Sequence, residues 1–132
     1  MTDLEAALLF LLRTAGLPEP EPQYRFAAMA VGGPGQGVRQ RLAAAGLRDW
    51  RADFAYPERR ILIECEGGTY THGGHVRGAR YREDCTKYNA AQSLGFRVYR
   101  VTTDMVRDGA PMLLAILRRE WGMEEGHSGT GR

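Results

Sequence analysis

Apolar residues at helical spacing mark four segments of the chain. The first is a stripe of leucines behind a capping pattern formed by Thr2 and Glu5, which predicts an amphipathic helix that ends near Gly16. Glycine, proline and apolar spacing predict three further helices, over residues 38–47, 79–94 and 111–121.

Strand patterns alternate with these helices. Residues 51–56 and 61–66 are β-patterned and flank a turn-like segment at residues 57–60, which together predict a hairpin. Residues 96–101 predict a third strand, and residues 23–31 are a weaker candidate because their alternation is poor. A strand, a helix and a strand in succession imply a right-handed crossover, so we expect an α/β fold.

The predicted hairpin concentrates acidic residues. A turn centred between Glu58 and Arg59 places Asp53 directly opposite Glu64, and alternation places Glu66 on the same face. Three carboxylates are then expected to converge, which suits Mg²⁺ or Mn²⁺. The alternative is a set of solvated acids on an open sheet face. The apolar run at residues 61–63 favours a buried strand, where acids must be paired or bound to metal.

Length and composition indicate one ordinary globular domain. The chain has 132 residues, and we expect a single domain over residues 1–121 and a disordered tail over residues 122–132. No apolar run approaches the length of a membrane span, and the N-terminus lacks the basic residues of a signal peptide, so we expect a cytoplasmic protein with reduced cysteines. The net charge of +2 permits nucleic-acid binding without requiring it.

Lys87 is the only lysine in the chain. It lies on the helix predicted after the hairpin, where an ammonium could orient a water or stabilise charge on a phosphate. The alternative is a salt bridge to Glu83 on the same helix. Either of two adjoining stripes of this helix could face the sheet.

The glycine-rich segment 67–78 is expected to form a loop that carries His72, His75 and Arg77. We expect these residues to contact a substrate as part of a lid. A loop whose histidines have no role is the alternative.

Together these residues resemble the PD-(D/E)XK nuclease superfamily, and within it the small phage-borne branch related to Vsr-like endonucleases and Holliday junction resolvases. The resemblance covers most of the chain and is carried by Asp53, Glu64-Cys65-Glu66-Gly67-Gly68, His75-Val76-Arg77-Gly78, Asp84, Lys87-Tyr88-Asn89 and Gly95-Phe96-Arg97-Val98. Two positions depart from the family pattern: Ala52 stands where proline is usual, and Glu66 stands where the motif lysine is usual. We expect Lys87 to supply the missing charge.

The resemblance implies a restriction-endonuclease-like core, a central mixed sheet flanked by helices in αβββαβ order. It implies a Mg²⁺-dependent endodeoxyribonuclease, with Mn²⁺ able to substitute, that acts as a homodimer on branched DNA as a Holliday junction resolvase. If the protein is phage-encoded, its compartment is the host cytoplasm.

The resemblance also implies roles for individual residues. Glu5 of the first helix would join the catalytic residues Asp53, Glu64, Glu66 and Lys87, of which Asp53, Glu64 and Glu66 bind metal. DNA contacts are expected from Arg51, His72, His75, Arg77 and Arg80.

Three alternatives remain open at the level of sequence. One is a mismatch or strand-nicking endonuclease of the Vsr-like type, and another is a DNA-binding module without catalysis. The third is a zinc site with the ligands Cys65, His72, His75 and Cys85. Its spacing is irregular, and alternation points Cys65 away from Glu64.

Overall fold

The computed structural model describes residues 1–67 and 74–123, with the side chains of the second range described from residue 78 onward. Its helices are α1 (Asp3–Thr14), α2 (Phe26–Ala30), α3 (Val38–Ala44), α4 (Gly74–Ser93), α5 (Thr103–Arg107) and α6 (Pro111–Glu120). Its strands are β1 (Glu21–Tyr24), β2 (Ala52–Tyr56), β3 (Ile61–Glu66) and β4 (Arg97–Thr102), and a short 3₁₀ turn, Pro57–Arg59, joins β2 to β3.

The strands form one mixed sheet in the order β1-β2-β3-β4, and β2 is antiparallel to both of its neighbours. The predicted α/β class with a mixed sheet flanked by helices is therefore confirmed. The hairpin register is also confirmed, since Phe54 faces Ile63 and Ala55 faces Leu62. The chain order is α1, β1, β2, β3, α4, β4, with α2 and α3 inserted after β1 and with α5 and α6 following β4.

The strand predicted over residues 23–31 is wrong in its extent. β1 begins earlier, at Glu21, and the chain turns helical at Phe26. Pro22 of β1 pairs with Phe54 of β2. β1 is an edge strand, where a residue without an N–H is tolerated on the open side.

The predicted loop over residues 67–78 is wrong from Gly74 onward, because α4 already begins there. Glycine costs only about 1 kcal/mol in a helix, so a helix of 20 residues can include Gly74 and Gly78 when tertiary packing favours it. The remainder of the predicted lid, residues 68–73, lies outside the described residues.

Two compact units make up the chain. The larger unit contains β1 to α4 except the end of β3, together with the start of β4. It has a buried cluster that includes Leu62 of β3 and Ala91 of α4: Phe26, Ala27, Leu42, Ala52, Ala55, Leu62, Ala91 and Phe96. This cluster fixes α4 against the face of β3 that carries Leu62, and alternation places Glu64 on that face as well.

The smaller unit contains α1, the end of β3, the end of β4, α5 and α6. Its helices bury apolar side chains: Leu8, Leu9, Leu12, Val106, Leu113, Leu114 and Leu117. The predicted capping box at the start of α1 is confirmed, and Pro111 begins α6 as predicted. Within the described ranges, each helix is either too short or too polar to cross a lipid bilayer.

Candidate active site

The hairpin brings Asp53 and Glu64 together. The ladder register places them one step beyond the Phe54–Ile63 pair, and the backbone N–H of Asp53 donates to Oε2 of Glu64 at 3.2 Å. Glu64 is only 8% exposed and is the one charged side chain in the described residues that is classed as buried. A buried carboxylate must be compensated by donors or cations, so the surroundings of Glu64 define the site.

Two side chains of α4 compensate the buried carboxylate of Glu64. The ammonium of Lys87 lies with Nζ 3.1 Å from Oε1 of Glu64, and the Tyr88 hydroxyl lies 3.4 Å from the same oxygen. The stripe of α4 that carries Lys87 and the fully buried Ala91 therefore faces the sheet, while Tyr81 is 68% exposed.

The alternative partner expected for Lys87 was Glu83. In the structure Glu83 instead pairs with Arg48 of the segment before β2, at 3.0 Å. The lone lysine is thus directed to the acid of the neighbouring strand rather than to an acid of its own helix.

Burial dominates the ionisation of Glu64. The net pKa of Glu64 is raised to about 7, first by loss of solvent and to a smaller extent by the neighbouring carboxylate of Asp53. The charge and hydrogen bond of Lys87 and the N–H of Asp53 act in the opposite direction. Glu64 is therefore poised to gain or lose a proton near neutral pH.

The expected convergence of three carboxylates is not found. Among residues 1–67 and 74–123, no three His, Cys, Asp or Glu side chains lie close enough to hold one metal ion. β2 begins at Ala52, so the position that would face Glu66 lies outside the strand and the ladder does not fix its distance. Glu66 is partly exposed at the end of β3.

The remaining pair, Asp53 and Glu64, still suits a hard cation. Mg²⁺ is usually held by one or two carboxylates, with water and substrate phosphates completing its octahedron. Facing carboxylates on a rigid hairpin, one of them buried, provide that kind of oxygen donor set. Metal binding by Asp53 and Glu64 remains a prediction, and the chemistry of their oxygen ligands is consistent with it.

The other predicted residues lie in varied places. Glu5 caps α1, where its Oε1 accepts the N–H of Thr2 at 3.0 Å, and this contact explains Glu5 without a role in the site. Arg51 is exposed just before β2, and Arg80 is exposed on α4. Their DNA contacts, and a catalytic role for Glu5, stay predictions.

The histidines fall at the edge of what is described. The backbones of His75 and Arg77 lie in α4 rather than in a loop, but their side chains and all of His72 lie outside the described residues. Two of the four ligands of the alternative zinc site are therefore not described. Cys65 and Cys85 are free cysteines of intermediate exposure.

Arg100 is a residue of the site that the sequence patterns did not indicate. Its guanidinium carbon lies 4.5 Å from the centroid of the Tyr88 ring, and Nζ of Lys87 lies 5.7 Å from the same centroid. Alternation along β4 could have indicated this, since Arg100 shares a face with Val98, which packs against the buried cluster under α4.

These contacts join an acid pair, an ammonium and a guanidinium through one tyrosine. An oxygen donor pair beside cationic groups is the chemistry that phosphate esters require, because the cations offset the negative charge of the ester.

No protein-family model, no curated protein and no solved structure matches the chain.

Proposed function

We propose that the chain is a Mg²⁺-dependent endonuclease that hydrolyses DNA phosphodiester bonds. The observation that carries the proposal is the contact between Lys87 and Glu64 at 3.1 Å, with Asp53 facing Glu64 across the hairpin. An ordinary structural ion pair does not need a second acid beside it. Like charges on facing positions of a sheet are destabilising, and a bound cation would offset that cost.

Asp53 and Glu64 are the residues that would hold the cation. A bound divalent cation supplies Lewis-acid stabilisation of phosphate oxygens and a more acidic water. The N–H of Asp53 and the hydroxyl of Tyr88 orient the carboxylate of Glu64 by contacting different oxygens. This arrangement limits the reorganisation that catalysis would otherwise require.

Lys87 takes the role that the motif lysine plays in the resembled family. Its side chain is 18% exposed, so its ammonium sits at the boundary between the buried acid and solvent. From there it can donate to an attacking water or to a phosphate oxygen that gains charge in the transition state. Glu66 occupies the usual lysine position, and we propose that α4 replaces the lost charge.

The architecture supports the same proposal. The helices and strands follow the order α-β-β-β-α-β that the resemblance implies, apart from α2, α3 and the two last helices, and the mixed sheet flanked by helices is compatible with an α/β core. Branched DNA as the substrate, junction resolution and a homodimer are proposed from the family resemblance, and a cytoplasmic location is proposed from the sequence composition. A panel of DNA substrates compares junction resolution with Vsr-like nicking and with binding alone.

The test is a panel of labelled substrates: a four-way junction, a mismatched duplex, a flap and a linear duplex, each with Mg²⁺, with Mn²⁺ and with EDTA. We expect cuts that require the metal and that pair symmetrically on the junction. Asp53→Asn should reduce cleavage at least about a hundredfold. Glu58→Gln, a matched change at an exposed acid of the hairpin turn, should leave it unchanged.

Other outcomes separate the alternatives. Single nicks on the mismatched duplex would favour the Vsr-like activity. DNA binding without metal-dependent products on any substrate would leave only a binding module. Equal loss of cleavage in Asp53→Asn and Glu58→Gln would reject the site rather than the activity.

A further inference from the structure

Arg100 is the residue through which β4 joins the site. Its guanidinium lies over the Tyr88 ring, with 4.5 Å between the guanidinium carbon and the ring centroid. The hydroxyl of the same tyrosine lies 3.4 Å from Oε1 of Glu64. One side chain therefore contacts the buried acid with its hydroxyl and an exposed arginine with its ring.

Stacking positions a guanidinium in a particular way. The attraction uses the flat face of the group, whereas its N–H donors point outward in the plane. A guanidinium that lies over a ring is restrained by this attraction, and its planar fork is the geometry that matches two phosphate oxygens. Lysine lacks this planar fork, so the geometry is specific to arginine.

Other arginines of the same unit are engaged differently. Arg25 pairs with Asp49 and Arg48 pairs with Glu83. Arg60 stacks on Phe96 and donates to the Leu94 carbonyl at the end of α4, which is a packing role. Arg100 differs because its stacking partner itself touches the acid of the site.

We infer that Arg100 binds a backbone phosphate of the nucleic acid, and that the Tyr88 ring positions Arg100 for this contact. The inference rests on the proposed function, because it assumes a polyanionic substrate at the acid pair. It adds a substrate-binding residue on β4 and gives Tyr88 two separable parts, a ring that holds Arg100 and a hydroxyl that contacts Glu64.

The test measures DNA binding without cleavage. Fluorescence anisotropy of a labelled four-way junction in EDTA, over a series of salt concentrations, gives both the affinity and its salt dependence. We expect Arg100→Gln to weaken binding about five- to tenfold near 0.1 M salt and to reduce the slope of log K against log salt by about one. Arg100→Lys should recover the slope but only part of the affinity.

Two variants of Tyr88 test whether its ring positions Arg100. Tyr88→Leu removes the ring and should weaken binding in the same direction as Arg100→Gln, whereas Tyr88→Phe keeps the ring and should bind within about twofold of the wild type. Arg97→Gln is the matched control, since Arg97 is exposed on the same strand and donates to the carbonyl of Arg59. It should bind like the wild type, and circular dichroism confirms that each variant is folded.

The outcomes keep this inference separate from the nuclease proposal. Equal affinity and equal salt slope in Arg100→Gln and the wild type would overturn the inference, as would a wild type that binds no DNA. If the wild type binds but does not cut under any metal condition, and Arg100→Gln still weakens binding, the phosphate contact stands and the nuclease proposal fails. In a cutting wild type, Arg100→Gln should raise KM and leave kcat within about threefold.

Discussion

Lys87 on α4 reaches across to Glu64 on β3, and its Nζ lies 3.1 Å from Oε1 of that carboxylate. Both side chains are largely withdrawn from water, with 18% of the lysine and 10% of the glutamate side chain exposed. Withdrawing two ions from water is costly, so the pair depends on its mutual contact and on the N–H of Asp53. Removal of one partner leaves the other as a buried charge without its counter-ion.

The first prediction concerns the stability of this pair. Lys87→Met should lower the free energy of unfolding by about 1–3 kcal/mol at pH 8, because the ionised Glu64 loses its cation. The loss should be smaller at pH 5, where Glu64 is protonated. Urea denaturation at both pH values measures it, and the double variant Lys87→Met with Glu64→Gln should recover most of the loss. A loss that is the same at both pH values would contradict the pairing.

The pH dependence of folding gives a second prediction. Burial raises the pKa of Glu64 from its ordinary 4.5 to about 7, so the folded state binds this proton more tightly than the unfolded chain. The stability contributed by Glu64 is present below about pH 4.5 and is lost as the pH rises through 7, up to an upper limit of about 3 kcal/mol.

Glu64→Gln is the variant that reveals this contribution, because it cannot titrate. The unfolding free energy of the wild type minus that of Glu64→Gln should fall between pH 4.5 and pH 8. Subtraction cancels other carboxyls, such as Glu19 and Asp49, whose pKa values are lowered by hydrogen bonds to arginine. A difference that rises over this range would show that Glu64 is stabilised in its charged form.

A third prediction concerns the cation. Glu64 must lose its proton before it can bind a metal, so the affinity for Mg²⁺ should rise by up to about tenfold per pH unit below 7 and level off above it. Calorimetry on EDTA-treated protein measures this in the absence of DNA. Asp53→Asn should weaken binding throughout, while Glu58→Gln should not. An affinity that does not change between pH 5.5 and pH 8 would exclude Glu64 as a ligand.

The hairpin could be predicted from the sequence because its register depends only on the residues of the two strands and of the turn between them. Alternation and a central turn were enough to place Asp53 opposite Glu64, and the ladder has that register. The same rule predicts the face of Glu66 but not whether its carboxylate reaches the pair, and among the described residues no three His, Cys, Asp or Glu side chains lie close enough to hold one metal ion.

The partner of Lys87 could not be chosen from sequence. Helical spacing favours Glu83, four positions away, whereas the observed partner is 23 positions away on another element. The partner of Lys87 depends on which stripe of α4 faces the sheet. Ala91 lies on the same stripe as Lys87, and its burial in the core turns that stripe toward the sheet. Arg100 was missed for a related reason, since its partner is a ring on a different element.

A fourth prediction tests the revised start of α4. Gly78 lies inside the helix, and a Cβ added there meets nothing within 4 Å. Gly78→Ala should therefore stabilise the protein by about 0.5–1 kcal/mol through helix propensity. Chemical denaturation measures the change. Gly95→Ala is the contrasting variant and should destabilise, because Gly95 has a φ of +93°. No gain from Gly78→Ala would favour the loop originally expected there.

The most direct test of the proposed nuclease is the single-turnover cleavage rate of Lys87→Met, measured at saturating junction DNA and Mg²⁺ and at pH 8.5, where Glu64 of the wild type is ionised. Denaturation data identify conditions in which the variant is fully folded. We predict that the rate falls at least about a hundredfold while DNA affinity stays within about threefold of the wild type, because the ammonium acts on the reacting phosphate. A cleavage rate within about threefold of the wild type would contradict the account.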